Sequence, residues 1–218
     1  MIVLVVDTET TGLPLKRDAS VMQTSLWPHV VQLSFILYDT EQNKSLTCQD
    51  HIIQIPDSVT MSKESEKIHG ITRSMMNRKG ISIAEALDYF DKAINTADVV
   101  VAHNLSFDKR LLMVEARRLK RPQYFTKNGR GVKEYCTMKN TRNDCNLVTT
   151  RKDGTTFVKS PKLVELHEYL FKTTPNNLHN AMADILVCLR CYMKKVHDKD
   201  ILSNAQSSIS RLFRLYCT

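Results

Sequence analysis

Runs of apolar and β-branched residues predict a group of strands near the N-terminus. Residues 2–9, 30–39 and about 46–55 each form such a run. A turn that contains glycine and proline, followed by a polar stretch at 15–28, separates the first run from the second. Because the connections between these runs are short, we expect the three strands to be antiparallel neighbours.

Two further strands are predicted after the first three. Residues 99–102 are wholly apolar, which is typical of a strand buried at the centre of a sheet. Residues 132–136 form another candidate strand within 123–160, a region that is otherwise polar and predicted to be rich in loops. The order of strands and helices favours an α/β sandwich built on a mixed sheet.

Helical signals lie between and after these strands. Ser82 and Glu85 have the spacing of a capping box, and Ser160 followed by Pro161 is typical of a helix start. Helices are predicted over residues 61–69, 83–95, 106–120, 161–171 and 180–196. The last twenty residues, 199–218, are partly amphipathic, but the sequence does not place them.

Composition favours an intracellular protein, since no apolar run approaches the ~20 residues of a membrane helix and no signal peptide is recognisable. We therefore expect no membrane partner and six reduced cysteines. The formal net charge of +8 is unevenly distributed: residues 109–160 carry +10 and the remainder −2. A basic region of this kind suggests contacts with phosphate groups, although a solvated surface is the simpler alternative.

Three clusters of polar residues carry candidate chemistry. Asp7 and Glu9 are two residues apart on a predicted strand, so their carboxylates project from the same face. Asp108 opens a predicted helix, where the helix dipole alone would favour an acid. Asp184 lies in an otherwise apolar helix and needs a partner, and His179 precedes it by five residues. Each cluster taken alone also fits a structural role.

Taken together, the clusters resemble the DnaQ-like exonucleases, the DEDD group of the ribonuclease H-like fold, and its histidine-containing DEDDh branch. The matching stretches are DTETTGL at 7–13, HNLSFD at 103–108 and HNAMAD at 179–184. In addition, residues 67–72 are similar to the IHGIT segment of polymerase III ε-like members, and residues 161–171 to the helix before the third motif.

The resemblance covers about residues 1–197, which it implies are one exonuclease domain, and it leaves 198–218 as a C-terminal tail of unassigned role. It implies a ribonuclease H-like mixed five-stranded sheet flanked by helices. One departure from the family lies after the strand at 132–135, where Cys136 stands in place of a common aspartate. A second is the stretch 139–159, which is longer and more basic than in compact relatives and is interpreted either as a flap over nucleic acid or as a mobile surface insertion.

The resemblance also implies the roles of the five polar residues. Asp7, Glu9, Asp108 and Asp184 would be ligands of two Mg²⁺ ions, with Mn²⁺ as a substitute. Hard carboxylate oxygens suit both of these ions. His179 would take a proton from the attacking water, a role that suits the titration range of histidine.

Contacts with the terminal nucleotide are implied in the same way. Backbone groups of the turn after the first strand would approach the terminal sugar, and apolar side chains would pack against its base. Core packing is the alternative role for the apolar members of this set. The implied contacts are Thr10, Thr11, Gly12, Leu13, Ile68, His69, Asn104 and Phe107.

The expected function is 3′→5′ exonuclease activity on single-stranded or mispaired DNA, with release of nucleoside 5′-monophosphates. The alternatives are an exoribonuclease with the same site and a non-catalytic nucleic-acid-binding subunit. Nucleic acid 3′ ends are the expected partner, in DNA repair, replication or proofreading, and a DNA polymerase or other replication protein is a candidate partner. The sequence leaves the oligomeric state open.

Overall fold

The computed structural model describes residues 1–127 and 130–218 of the chain. Its strands are β1 (Ile2–Thr10), β2 (Val30–Asp39), β3 (Lys44–Gln54), β4 (Ile81–Ser82), β5 (Val99–Ala102), β6 (Thr126–Lys127), β7 (Arg130–Gly131), β8 (Lys133–Cys136), β9 (Val148–Thr150) and β10 (Thr156–Val158). Its helices are α1 (Lys63–His69), α2 (Arg73–Lys79), α3 (Ile83–Thr96), α4 (Leu105–Arg118), α5 (Thr137–Asn140), α6 (Arg142–Cys145), α7 (Leu163–Phe171), α8 (Ala181–His197) and α9 (Ser208–Cys217), with a short 3-10 helix at Thr24–Leu26.

The main sheet is mixed and has the strand order β4-β3-β2-β1-β5-β8. β1, β2 and β3 are antiparallel neighbours, whereas β5 pairs parallel with β1 and β8 pairs parallel with β5. The predicted sheet is therefore confirmed, and the strands predicted at 30–39 and 99–102 agree to the residue. Among the described residues the sheet has a sixth strand rather than five, because the two-residue β4 pairs with the end of β3.

Alternating side chains divide β1 between two hydrophobic cores. Leu4 and Val6 pack on one face of the sheet with apolar residues of α3 and α4. Val3 and Val5 pack on the other face with apolar residues of α7, α8 and α9. Removal of this apolar surface from water, about 25 cal/mol per Å², is the main force that holds the helices against the sheet. The end of β1 therefore lies between two layers of helices.

The start of α7 and the presence of α2 differ from the sequence prediction. α7 begins at Leu163 with Lys162 as its N-cap, not at Pro161 with Ser160 as its cap. The Pro161 carbonyl is held by the His103 ring at 3.0 Å, and the backbone N–H of Lys162 donates to the side chain of Glu165 at 2.7 Å, so the capping interaction forms later in the chain. The helix α2 was not predicted, although Thr72 caps it through Met75 N at 3.2 Å.

The described part of the region 123–160, which leaves out residues 128 and 129, has more regular structure than the loop-rich prediction. It contains the short strands β6 and β7, the strand β8, two short helices and the hairpin of β9 and β10, which covers residues 148–158. The tail that the sequence did not place forms α9, whose Ile209, Phe213 and Cys217 are buried against the second core. The domain limit at residue 197 stays a prediction. Within the described residues, every helix falls short of the length and apolar character that crossing a bilayer requires.

Candidate active site

Three of the predicted ligands meet at the end of β1. Asp7 and Glu9 continue the row of Val3 and Val5, so their side chains project from the face that packs on α8. Asp184 lies in the first turn of α8 and faces them. One carboxylate oxygen of each of these three acids can be chosen so that all lie within 4.8 Å of one another. This spacing fits donors that share a cation.

Asp108 reaches the same place from the opposite layer. It lies in the first turn of α4, and its side chain is only 2% exposed. Its Oδ1 accepts hydrogen bonds from Thr8 N at 3.1 Å and from Thr8 Oγ1 at 2.9 Å. Because Thr8 stands between Asp7 and Glu9 on β1, these bonds hold Asp108 beside both acids. The structure thus brings all four predicted acids to the end of β1, three in one cluster and the fourth anchored next to it.

Burial and mutual repulsion make this group of acids unfavourable without a cation. Burial, followed by the charges of Asp108, Asp184 and Glu9, raises the pKa of Asp7 well above its usual range. Burial and the charges of Asp184 and Asp108 raise the pKa of Glu9 to about 8. Burial also raises the pKa of Asp108 and of Asp184 to about 7, against the hydrogen bonds from Thr8 and His179.

One oxygen of this group has no partner. Asp184 Oδ1 is buried without a hydrogen bond among the described residues. An unsatisfied buried polar atom costs about 1–3 kcal/mol, and more when it is charged. Mg²⁺ and Mn²⁺ are hard cations that prefer carboxylate oxygens, so the donor set and its unpaired oxygen fit such ions.

The raised pKa values predict how stability depends on pH. The native state holds more protons than the unfolded chain between the ordinary carboxylate range, about pH 4, and about pH 8, the pKa of Glu9. The free energy of unfolding of the metal-free protein is therefore expected to fall as the pH rises through this window. Divalent cations should restore the free energy of unfolding that is lost at high pH, because they bind the ionised carboxylates. Mg²⁺ is therefore expected to raise the Tm by several degrees at pH 8 and by little at pH 5.

Thermal unfolding with Mg²⁺ and with chelator at both pH values measures this effect. An equal effect of Mg²⁺ at pH 5 and pH 8 would contradict the electrostatic description of the site.

His179 lies at the rim of the acid group. Its backbone is in the left-handed region, with φ 72°, and its N–H donates to Asp184 Oδ2 at 3.3 Å. Its side chain is exposed and lines a small depression of about 380 Å³ together with Ile68 and His69. The structure therefore places the predicted base next to one ligand and open to solvent.

A cleft of about 950 Å³ extends from Glu9. Leu13 is 79% exposed and Ile68 56% exposed, so both offer apolar surface to a ligand instead of filling the core. His69 is buried, which lowers its pKa and favours the neutral ring. Seven of the eight predicted nucleotide contacts line the cleft: Thr10, Thr11, Gly12, Leu13, Ile68, His69 and Phe107.

Asn104, the remaining predicted contact, does not line that cleft. It has φ 73° and is the N-cap of α4, where its carbonyl accepts from Phe107 N at 2.8 Å. Asparagine tolerates the left-handed conformation better than most residues. Its position supports a role in starting the helix that carries Asp108.

Sequence reasoning missed the far wall of the cleft. Leu15, Trp27 and Arg118 line it, although residues 15–28 were interpreted as a polar loop. Arg118 donates to three backbone carbonyls of the segment 24–28, which fixes that segment against α4. The available signals were Leu15 and Trp27, the chain's one tryptophan, which are apolar residues within the polar stretch 15–28.

Comparison with known proteins identifies the class. The family model described as exonuclease, RNase T, matches residues 4–192, so the chain belongs to this exonuclease family. Membership supports the class of nucleic-acid exonucleases, which are nuclease hydrolases. No curated protein sequence shows significant similarity to the chain.

Solved structures share the fold. E. coli exonuclease I in complex with a dA16 oligonucleotide is 18% identical, with a TM-score of 0.64 over 98% of this chain and 42% of that chain. Exonuclease I from Methylocaldum szegediense is 16% identical, with a TM-score of 0.67 over 92% and 42%. The predicted ribonuclease H-like fold is thereby confirmed. The chain spans about two fifths of the length of these relatives.

Proposed function

We propose that this exonuclease is metal-dependent, removes nucleotides from the 3′ end of single-stranded or mispaired DNA and releases nucleoside 5′-monophosphates. The observation that carries the proposal is the meeting of Asp7, Glu9 and Asp184 within 4.8 Å beside the buried Asp108. The 3′ direction and the products rest on the resemblance of the three acid motifs to the DEDDh group.

Asp7, Glu9, Asp108 and Asp184 would hold two Mg²⁺ or Mn²⁺ ions. When bound, such ions would stabilise the charge on the attacking and leaving oxygens of a phosphodiester. Asp7 lies within reach of Glu9 and Asp184, and its pKa is raised by the charges of all three other acids, so Asp7 would be a central member of the set that holds the ions.

His179 is proposed to accept a proton from the attacking water. Its backbone bond to Asp184 Oδ2 keeps the residue beside a metal ligand, and its exposed side chain is free to turn toward a bound phosphate. A positioned general base typically contributes about 10²- to 10⁴-fold to a rate.

The terminal nucleotide is proposed to enter the cleft next to Glu9. Leu13 and Ile68 are the exposed apolar side chains of that cleft and would pack against the terminal base. The backbone of residues 10–12 would contact the sugar. Packing of Leu13 and Ile68 against a base would contribute affinity for every base alike. A nuclease that removes any nucleotide requires such binding without sequence specificity.

DNA is the proposed substrate, and RNA with the same chemistry is the competing one. The relative at 18% identity was solved with a DNA oligonucleotide. A pocket group that bonds or excludes the 2′-hydroxyl decides between the two nucleic acids. Association with a DNA polymerase, in replication or repair, is a further part of the proposal that pull-down with purified polymerases tests.

The test uses single-stranded DNA and RNA of one sequence, labelled at the 5′ end, with free or blocked 3′ ends. With Mg²⁺ or Mn²⁺ we expect stepwise shortening of DNA with a free 3′ end, and no reaction with a blocked end or with chelator. Faster shortening of RNA would overturn the DNA assignment. Intact 3′ ends with every divalent ion would overturn the proposed function.

The basic stretch 139–159 is proposed to contact nucleic acid as a flap. Its hairpin carries the exposed Lys152 in the turn between β9 and β10. Lys152→Glu is expected to weaken binding and to reduce the slope of log K against log salt by about 0.7 for each phosphate of a single strand that the protein no longer neutralises.

Lys44→Glu is the matched control. Lys44 is an exposed lysine at the start of β3, at the end of the sheet opposite Asp7, because β1 and β2 are antiparallel. An unchanged salt slope for Lys152→Glu, or an equal change for Lys44→Glu, would count against the flap.

A further inference from the structure

We propose that the end of α9 positions the loop that carries His179, and that Asn177 is the main positioning residue. The inference rests on the proposed role of His179 as the base. It adds a segment outside the three acid motifs to the working site, and it gives α9 a function beyond filling the core.

The loop between α7 and α8 has an unusual backbone. Asn177 has φ 57° and His179 has φ 72°, both in the left-handed region. Asparagine adopts this conformation readily, whereas histidine does so less often. The His179 side chain is also exposed, so it does not itself anchor the loop in the core. The loop is held by its neighbour Leu178, which packs against the second core, and by hydrogen bonds.

Those hydrogen bonds are made to the last carbonyls of α9. The Asn177 side-chain amide donates to the Tyr216 carbonyl at 3.0 Å. Asn176 donates through its backbone to the Cys217 carbonyl at 2.9 Å and through its side chain to the Thr218 carbonyl at 2.9 Å. The last carbonyls of a helix have no donors within the helix, so they are available for such bonds.

α9 also contacts the chain that follows His179, at the start of α8. Its Phe213 and Cys217 are buried, and the Cys217 thiol lies 3.8 Å from the carbonyl of Ala183, the residue before Asp184. The helix thus contacts the chain both before and after the predicted base. Tyr216 lines the same depression as His179.

The consequence is a loop whose conformation depends on α9. Without the amide of Asn177, the loop loses one of its bonds to α9, so Asn177 and His179 are held less firmly in the left-handed region and the His179 side chain samples more positions. Misplacement of a catalytic group by about 1 Å can cost about a hundredfold in rate. The four acids are fixed by β1, α4 and α8, so their cation site should be unaffected.

Asn177→Gly tests the inference. Glycine keeps the left-handed backbone accessible and deletes only the amide. We expect kcat on 5′-labelled single-stranded DNA with a free 3′ end to fall about tenfold. KM and the Mg²⁺-induced rise in Tm should stay close to those of the parent protein. Asn177→Asp, which also tolerates the left-handed region but lacks the donor, should show the same loss of kcat.

Asn43→Gly is the matched control. Asn43 is exposed, has φ 50° and lies in the turn between β2 and β3, so it undergoes the same chemical change at a left-handed position at the end of the sheet opposite Asp7. It is expected to leave kcat unchanged. A loss of kcat in Asn43→Gly equal to that in Asn177→Gly would overturn the inference.

A double-mutant cycle separates positioning from general weakening. If Asn177 acts through His179, Asn177→Gly causes no further loss of kcat in a His179→Ala background. The same tenfold loss in that background would overturn the positioning role alone. Parental activity of His179→Ala itself would overturn the assignment of the base, and the inference with it.

Discussion

Asp184→Asn is expected to abolish hydrolysis while it stabilises the metal-free protein. The substitution keeps the shape of the side chain but removes a charge from the cluster of Asp7, Glu9 and Asp184. Loss of one carboxylate ligand should lower kcat by about a thousandfold or more, which corresponds to about 4 kcal/mol of transition-state stabilisation. End-labelled single-stranded DNA in Mg²⁺ measures this loss.

The stability of the variant separates loss of chemistry from loss of fold. Burial raises the pKa of Asp184, and its charge raises the pKa of Asp7 and of Glu9, so a neutral residue relieves repulsion when no cation is bound. In chelator at pH 8 the Tm of Asp184→Asn is therefore expected to exceed that of the parent protein.

Asp198→Asn is the control on the same helix. Asp198 ends α8 in the left-handed conformation and pairs with Lys194 at an exposed position. It should retain full activity. Parental activity of Asp184→Asn would remove this residue from the ligand set, and a lower Tm in chelator would contradict the described electrostatics.

His179→Ala is expected to lower kcat by about 10²- to 10⁴-fold. The side chain of His179 is exposed, and the hydrogen bond from this residue to Asp184 is donated by its backbone N–H, which alanine retains. The Mg²⁺-induced rise in Tm should therefore be kept. Stopped assays at saturating DNA across pH 6–9 measure the rate and its pH profile.

His197→Ala, at the opposite end of α8, serves as the control and should keep its activity within about twofold. A His179→Ala variant that retains both the rate and the pH profile of the parent protein would show that another group accepts the proton. Loss of the Mg²⁺ effect on Tm would show instead that His179 shapes the cation site.

Local patterns predicted the strands well, and with them the shared face of Asp7 and Glu9, because both depend on short-range chemistry. The apolar run of β5 could only be buried, and Asp7 and Glu9 share a face because side chains alternate along a strand. The position of Asp108 followed from the motif order, but its anchoring to Thr8 depends on residues 100 apart in sequence.

Features formed by long-range contacts were not predicted. Arg118 holds the segment 24–28 in the cleft wall by hydrogen bonds to three backbone carbonyls. Every residue has a backbone carbonyl, so the sequence does not reveal such bonds. At the start of α7, the His103 ring from another part of the chain bonds to the Pro161 carbonyl, and the helix begins two residues later than predicted. The attachment of the His179 loop to α9 likewise depends on the bond between Asn177 and Tyr216, which no periodicity reveals.

The cation site is tested most directly by titration of the protein with Mn²⁺, followed by electron paramagnetic resonance in the presence of a nucleoside 5′-monophosphate. The four acids predict two bound ions per chain in the parent protein and weakened binding in Asp184→Asn, with Asp198→Asn unchanged. If the parent protein binds no Mn²⁺, or if Asp184→Asn binds it as well as the parent, then Asp7, Glu9, Asp108 and Asp184 do not form a catalytic metal centre.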